Sequence, residues 1–193
     1  MKKLLFTIFS FIAIYGTAQV TYGVKAGVNV SKMDEIHTGS DKRVGMYAGA
    51  FASIPLSDYG NQFYIQPEIM YSMMGEKETA KNVKKDVNVD YIIAPILFKA
   101  YFSEQDTEFF GEIGPQFGFL VNKSVPESDN KFEYKTFDFG PTVGLGFSYL
   151  RPWEVRARFY YGLVDVVDNV IDKNGKESKN INSNINIGVA YVF

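Results

Sequence analysis

From residue 20 to the last residue, apolar and polar positions alternate with a period of two almost throughout. That period puts successive side chains on opposite faces of a strand, where a helix would repeat about every 3.6 residues. Eight runs carry it: 20–31, 43–54, 62–72, 86–98, 109–121, 137–149, 153–162 and 181–193. In the first, Tyr22, Val24, Ala26, Val28 and Val30 share one face, and Lys25, Gly27 and Asn29 share the other. In the sixth, Phe137, Phe139, Val143, Leu145, Phe147 and Tyr149 oppose Asp138, Gly140, Thr142, Gly144 and Gly146. The fourth run is apolar on both faces towards its end, so the pattern leaves its phase open.

Several runs are 11 to 13 residues long. Strands of soluble proteins average about 5–6 residues, and a tilted strand crosses a bilayer in about 9–11. Linkers 32–42, 73–85, 122–136 and 163–180 are long and rich in Lys, Asp, Glu, Asn and Ser, whereas 55–61, 99–108 and 150–152 are shorter. Long loops at one end, short turns at the other and both termini on the short side predict an all-β fold. That fold is an eight-stranded antiparallel transmembrane β-barrel of up-and-down topology. Lipid offers no partner to an open sheet edge, so the sheet must close.

A soluble barrel of the lipocalin type alternates in the same way, with its apolar face inward. Three features turn the apolar face outward here. The opposite face carries Lys25, Glu68, Glu112, Asp138, Arg156 and Arg158. It also carries many glycines, which suit a narrow interior that alternates small and large side chains. Tyr22, Phe63, Phe109, Tyr149, Trp153, Tyr191 and Phe193 fall near strand ends, where they would ring one membrane rim.

The ends of the chain and its composition sharpen this picture. Residues 1–18 read MKKLLFTIFSFIAIYGTA: two lysines, an apolar core, and small residues at 16 and 18. This is the pattern of a cleaved signal peptide, too short to span a membrane. The expected domains are a signal peptide over 1–18 and an outer-membrane barrel over 19–193, exported through the inner membrane and placed in the outer one. Cleavage leaves 18 basic and 22 acidic residues, a net charge of −4, which argues against nucleic acid as a partner. The chain has no cysteine, so its stability must come from packing or from a membrane.

The segments "FGEIGPQFGFL" (110–120), "FDFGPTVGLGFSY" (137–149), "IIAPILFKAYF" (92–102) and "RARFYYGLVDV" (156–166) resemble the PorT-like small outer-membrane β-barrel proteins. The likeness spans nearly the whole mature chain. It implies the barrel architecture and a role in secretion across the outer membrane. The ending Tyr191-Val192-Phe193 also resembles the C-terminal signal read by barrel-assembly machinery, with Phe193 facing lipid at the rim.

Candidate chemistry lies in the lumen and the loops. Lys25, Glu68, Glu112, Asp138, Arg156 and Arg158 form a candidate charge network. It reads either as a plug of ion pairs or as a selectivity filter or proton path. Eight strands leave room only for side chains, which favours the plug. The single histidine, His37, lies in the first long loop with no motif linking it to Ser31, Ser40 or Asp41, so no enzyme and no catalytic residue is expected. The loop acids lack calcium-loop spacing, and "GPTVGLG" (140–146) lies on a strand with no helix behind it, so neither a metal nor a cofactor is expected.

The expected function is that of a non-enzymatic barrel working through its long loops, in envelope structure, adhesion or a PorT-like secretion-related assembly. The alternative is a narrow porin-like channel for small solutes or ions. Expected partners are outer-membrane lipid, the barrel-assembly machinery during insertion and an envelope protein at the loops. Pro67, Pro95, Pro115 and Pro141 sit inside strands and remove ladder donors. Local bulges, or bond partners supplied otherwise, are expected there.

Overall fold

The computed structural model describes residues 20–33, 40–56, 62–80, 83–124, 133–168 and 180–193. The segment 1–18 and His37 lie outside the described residues. No helix among the described residues is long and apolar enough to cross a membrane.

The strands are β1 (Thr21–Met33), β2 (Ser40–Pro55), β3 (Phe63–Ala80), β4 (Val83–Tyr101), β5 (Glu108–Ser124), β6 (Glu133–Tyr134), β7 (Phe137–Tyr149), β8 (Trp153–Tyr161), β9 (Val167–Asp168) and β10 (Asn182–Val192). Eight of them close into one barrel in the order β1-β10-β8-β7-β5-β4-β3-β2, each pair antiparallel. The terminal strand completes the closure: β10 pairs with β1 from Gly23↔Val192 to Met33↔Asn182. The Phe193 amide donates to the Tyr22 carbonyl at 2.8 Å. The last residue is therefore fixed by the ladder rather than left to fray.

The apolar face points outward. Val24, Val28, Met46, Ile113, Leu145, Val155 and Ile187 are exposed around the wall, while Lys25, Asn29, Glu68, Glu112 and Arg156 are buried inside. Hydrocarbon is the environment in which such an exterior is favourable. Aromatics crowd the end that holds the termini: Trp153 packs edge-on against Tyr191 at 4.8 Å, Phe109 against Phe147 at 5.0 Å, and Tyr191 against Phe193 at 5.5 Å. Phe193 is 73% exposed.

β3 and β4 run beyond the predicted limits, staying paired from Met70↔Ile93 up to Ala80↔Val83. Much of the linker 73–85 thus continues the β3–β4 ladder. Its Lys- and Glu-rich sequence has no apolar face to signal a strand. The open phase of β4 is also explained. Ile92, Ile96 and Phe98 face outward, whereas Val89, Tyr91, Ile93 and Leu97 point into the lumen, the first three into an apolar cluster.

None of the four prolines carries a bulge. Pro67 faces Ile96 and Met70 faces Ile93 in one register, and the same holds from Pro95↔Gln116 to Phe98↔Ile113. Pro115 and Pro141 face each other inside an unbroken ladder. Register shifts occur elsewhere, between Lys42 and Tyr47 on β2 and between Asp90 and Tyr91 on β4. The prolines instead cost individual rungs. The β3–β4 ladder skips the positions between Pro67 and Met70, and the β4–β5 ladder those between Pro95 and Phe98. Two prolines follow glycine. A Cβ at Gly114 would stand 2.0 Å from the Ile96 carbonyl oxygen, and one at Gly140 would stand 2.0 Å from that of Tyr161. The glycine lets a carbonyl that has lost its N–H donor settle against Cα, where a weak C–H···O contact replaces the rung.

Candidate functional site

The lumen is filled in two layers. The layer nearer the termini is ionic. Arg158 on β8 clamps two glutamates from other strands with one guanidinium. Its Nη1 and Nη2 donate to Glu68 on β3 at 2.6 and 2.7 Å, and its Nη2 and Nε donate to Glu112 on β5, the former at 2.9 Å. This is the bidentate geometry that makes arginine–carboxylate pairs strong. Lys25 on β1 meets the same Glu68 oxygen as Arg158 Nη1, and Gln66 donates to Glu68 Oε1 at 2.6 Å. Arg156 pairs with Glu154, with its Nη1 at 3.5 Å from Glu68 and 3.7 Å from Glu112. Lys99 on β4 takes the other oxygen of Glu154, which also accepts from the Tyr101 hydroxyl at 2.7 Å.

The wall makes room for these side chains. A Cβ at Gly144 would press on Arg158 and Glu112, and one at Gly146 would lie 2.1 Å from the Phe110 ring. Small positions on β7 thus accept the large charged and aromatic groups of β5 and β8. Every charge of the layer is buried and paired, as burial requires. Lys25, Lys99, Arg156 and Arg158 meet Glu68, Glu112 and Glu154, which leaves one positive charge over.

The layer nearer the long loops has a different composition. Tyr47, Met70, Met74, Val89, Tyr91, Ile93 and Val166 form a buried apolar cluster with Leu120 against it. Asn182 and Asn184 aim their amides at the Met74 sulfur at 3.7 and 3.5 Å, and Asn29 donates to Ser72 at 2.8 Å. Val166 reaches this cluster from the loop after β8. Its amide donates to Asn180 O, its carbonyl accepts from Lys135 N, both at 2.9 Å, and β6 pairs with β9 beside it. Two loops therefore meet across the mouth and press an apolar side chain into it.

Of the residues singled out from the sequence, Lys25, Glu68, Glu112, Arg156 and Arg158 lie together in the ionic layer. Asp138 lies apart, in the other layer, where its Oδ2 accepts from the Asn182 amide at 3.1 Å. Tyr191 and Phe193 lie on the outer rim. Two members of the ionic layer escaped the sequence reading. Glu154 sits on the polar face of the seventh run but was not joined to the network. Lys99 fell in a linker, although it continues the inward positions Leu97, Lys99 and Tyr101 of β4. Among the described residues, no group of three His, Cys, Asp or Glu side chains is placed to hold a metal ion.

Comparison with known proteins agrees with the architecture. The family model described as outer membrane protein beta-barrel domain matches residues 17–168. No curated protein matches the sequence. Among solved structures, the outer membrane protein OprG from Pseudomonas aeruginosa superimposes with a TM-score of 0.50 at 11% identity, over 91% of this chain and 97% of OprG. Neisserial surface protein A gives 0.49 at 10% identity, over 90% and 97% of the two chains. Ail, the attachment invasion locus protein of Yersinia pestis, gives 0.47 at 11%, over 91% and 99%. At 11% identity the likeness to OprG speaks to the fold alone.

Proposed function

The chain belongs to the outer membrane protein beta-barrel domain family, and from that premise we propose that it is a closed, non-enzymatic outer-membrane barrel working through the loops opposite its termini. Envelope structure, adhesion and a PorT-like secretion-related assembly are the settings this reading covers. The supporting observation is the double filling of the lumen. Arg158 ties β3, β5 and β8 together across the interior, and Val166 seals the apolar layer beneath the loops. A lumen so occupied leaves the loops as the working surface. In this reading residues 1–18 export the chain, and Tyr191 and Phe193 are read by the barrel-assembly machinery during insertion.

Photo-crosslinking from Lys84 and Lys176 in intact envelopes, with mass spectrometry of the products, tests it. A recurring envelope protein supports an assembly role. Products with barrel subunits alone, or none, contradict it. A narrow channel is the second reading, and the cation left over in the ionic layer favours it. Fixed positive charge in a pore selects anions, so discrete anion-selective current steps would establish it.

A further inference from the structure

On the outer wall, the outward positions Gly111, Leu145, Ala157 and Ile187 form one row across β5, β7, β8 and β10. The row nearer the termini holds Phe109, Phe147, Val155 and Val189, and the row nearer the loops holds Ile113, Val143, Phe159 and Ile185. Two small residues thus stand among large ones, and the wall is dented there. An open groove of about 480 Å³ follows the dent, lined chiefly by Phe102, Phe109, Leu145, Phe147, Val155 and Ile187.

Packing within the barrel does not demand the dent. A Cβ added at Gly111 would meet nothing closer than the Phe102 ring at 3.4 Å, an ordinary contact, whereas one at Gly144 or Gly146 would press on the groups inside. The wall faces hydrocarbon, and atoms lining an unfilled dent forfeit dispersion contacts. Phe109 and Phe147 pack ring to ring at 5.0 Å along the groove. A slender, flexible chain enters between such rings; the broad convex wall of a second barrel does not reach the floor. The occupant that the surroundings supply is an acyl chain.

Charge at the mouth selects the headgroup. The groove's end nearer the termini lies beside the β4–β5 turn, which Phe102 precedes and Phe109 follows. This turn is tied to the β7–β8 hairpin, whose Arg151 amide donates to the Asp106 carbonyl at 2.9 Å and whose Leu150 amide donates to the Thr107 hydroxyl at 3.2 Å. Leu150 and Arg151 hold that hairpin with left-handed φ values of 52° and 68°. Arg151 is the one cation in the two turns, and Glu108 and Asp106 already engage it at 2.6 and 3.5 Å. Glu104 is exposed and meets no cation among the described residues. Three carboxylates against one guanidinium leave the mouth negative, which attracts an ammonium group and repels an anionic one.

We propose that this groove is a fixed site for one acyl chain of a phospholipid with an ammonium headgroup. The chain lies over Ala157 and Gly111, and the ammonium meets Glu104 and Asp106 at the turn. The inference is independent of how the loops work.

Trp153 is the single tryptophan, one outward position nearer the rim than Val155 on the same face of β8. Quenching of its fluorescence by brominated chains therefore reports on the groove. The protein is reconstituted in phosphatidylglycerol vesicles that contain rising fractions of phosphatidylethanolamine brominated near the glycerol end of its chains. Brominated phosphatidylglycerol serves as the reference. The wild type should be quenched beyond the mole fraction of the ethanolamine lipid, with a preference of about threefold, as an exposed ion pair gives. Ala157→Phe fills the groove with a residue suited to a lipid-facing strand. It should return quenching to the mole fraction without lowering the melting temperature. Glu104→Gln combined with Asp106→Asn should remove the preference between headgroups. Wild-type quenching that follows the mole fraction, or an Ala157→Phe variant that keeps the excess, overturns the proposal. So does a preference that survives loss of both carboxylates, or a tryptophan shielded from every lipid, as a docked second barrel would leave it.

Discussion

Around Arg158 the lumen is held by charge; a few residues along, around Met74, it is held by dispersion, thioether contacts and amides. Both layers sit in the same barrel and face the same bilayer, yet they stand removal of a side chain differently. In the ionic layer each group is fixed by partners of opposite charge from other strands. Deleting one leaves a buried charge that water cannot reach. In the loop-side layer the members are neutral apart from Asp138, which accepts from the neutral Asn182 amide. Deletion there leaves mainly a cavity.

The sharpest break of the comparison is Arg158→Ala, which strands Glu68 and Glu112 together. It should cost about 3–5 kcal/mol, read by urea unfolding in micelles. A cost below that of a surface substitution would show the clamp to be idle. Next comes Met74→Ala, which opens a cavity beneath the mouth at about 2–4 kcal/mol. The same unfolding experiment at high salt should leave that penalty unchanged.

Asp138→Asn serves as the internal control. It removes a charge with no cationic partner among the described residues, so stability should move by less than about 1 kcal/mol. A loss as large as that of Arg158→Ala would place Asp138 in the ionic layer's energetics after all. The smallest expected change is a gain. Leu150→Asn relieves the left-handed strain at the hairpin and should add up to about 1 kcal/mol, visible as a modest rise in melting temperature.

The wall of this barrel was legible from alternation because lipid outside and charge inside write opposite residue types on the two faces of a strand. β1, β7 and β10 show it most plainly. Alternation failed where both sides of a strand are apolar. β4 meets lipid through Ile92 and Ile96 and the apolar layer through Tyr91 and Ile93, so no face could be chosen. Lys99 was missed for a related reason. The following Ser103, Glu104, Gln105 and Asp106 look like a turn, and the strand's last inward positions were counted with them.

The cap could not be read at all. β6 and β9 are two residues each, too short for any period, and Val166 gains its role only from the loop it meets. The prolines were legible as a problem, while the answer depended on what stands across the ladder. Nothing in "GP" alone says that a neighbouring carbonyl will rest on the glycine.

The account turns on a lumen that is closed. Recording from single molecules of the protein in planar phospholipid bilayers tests this most directly. The wild type should give a flat trace under applied voltage. Discrete, repeated current steps from the wild type would contradict the closed barrel, and with it the conclusion that the loops are where the protein works.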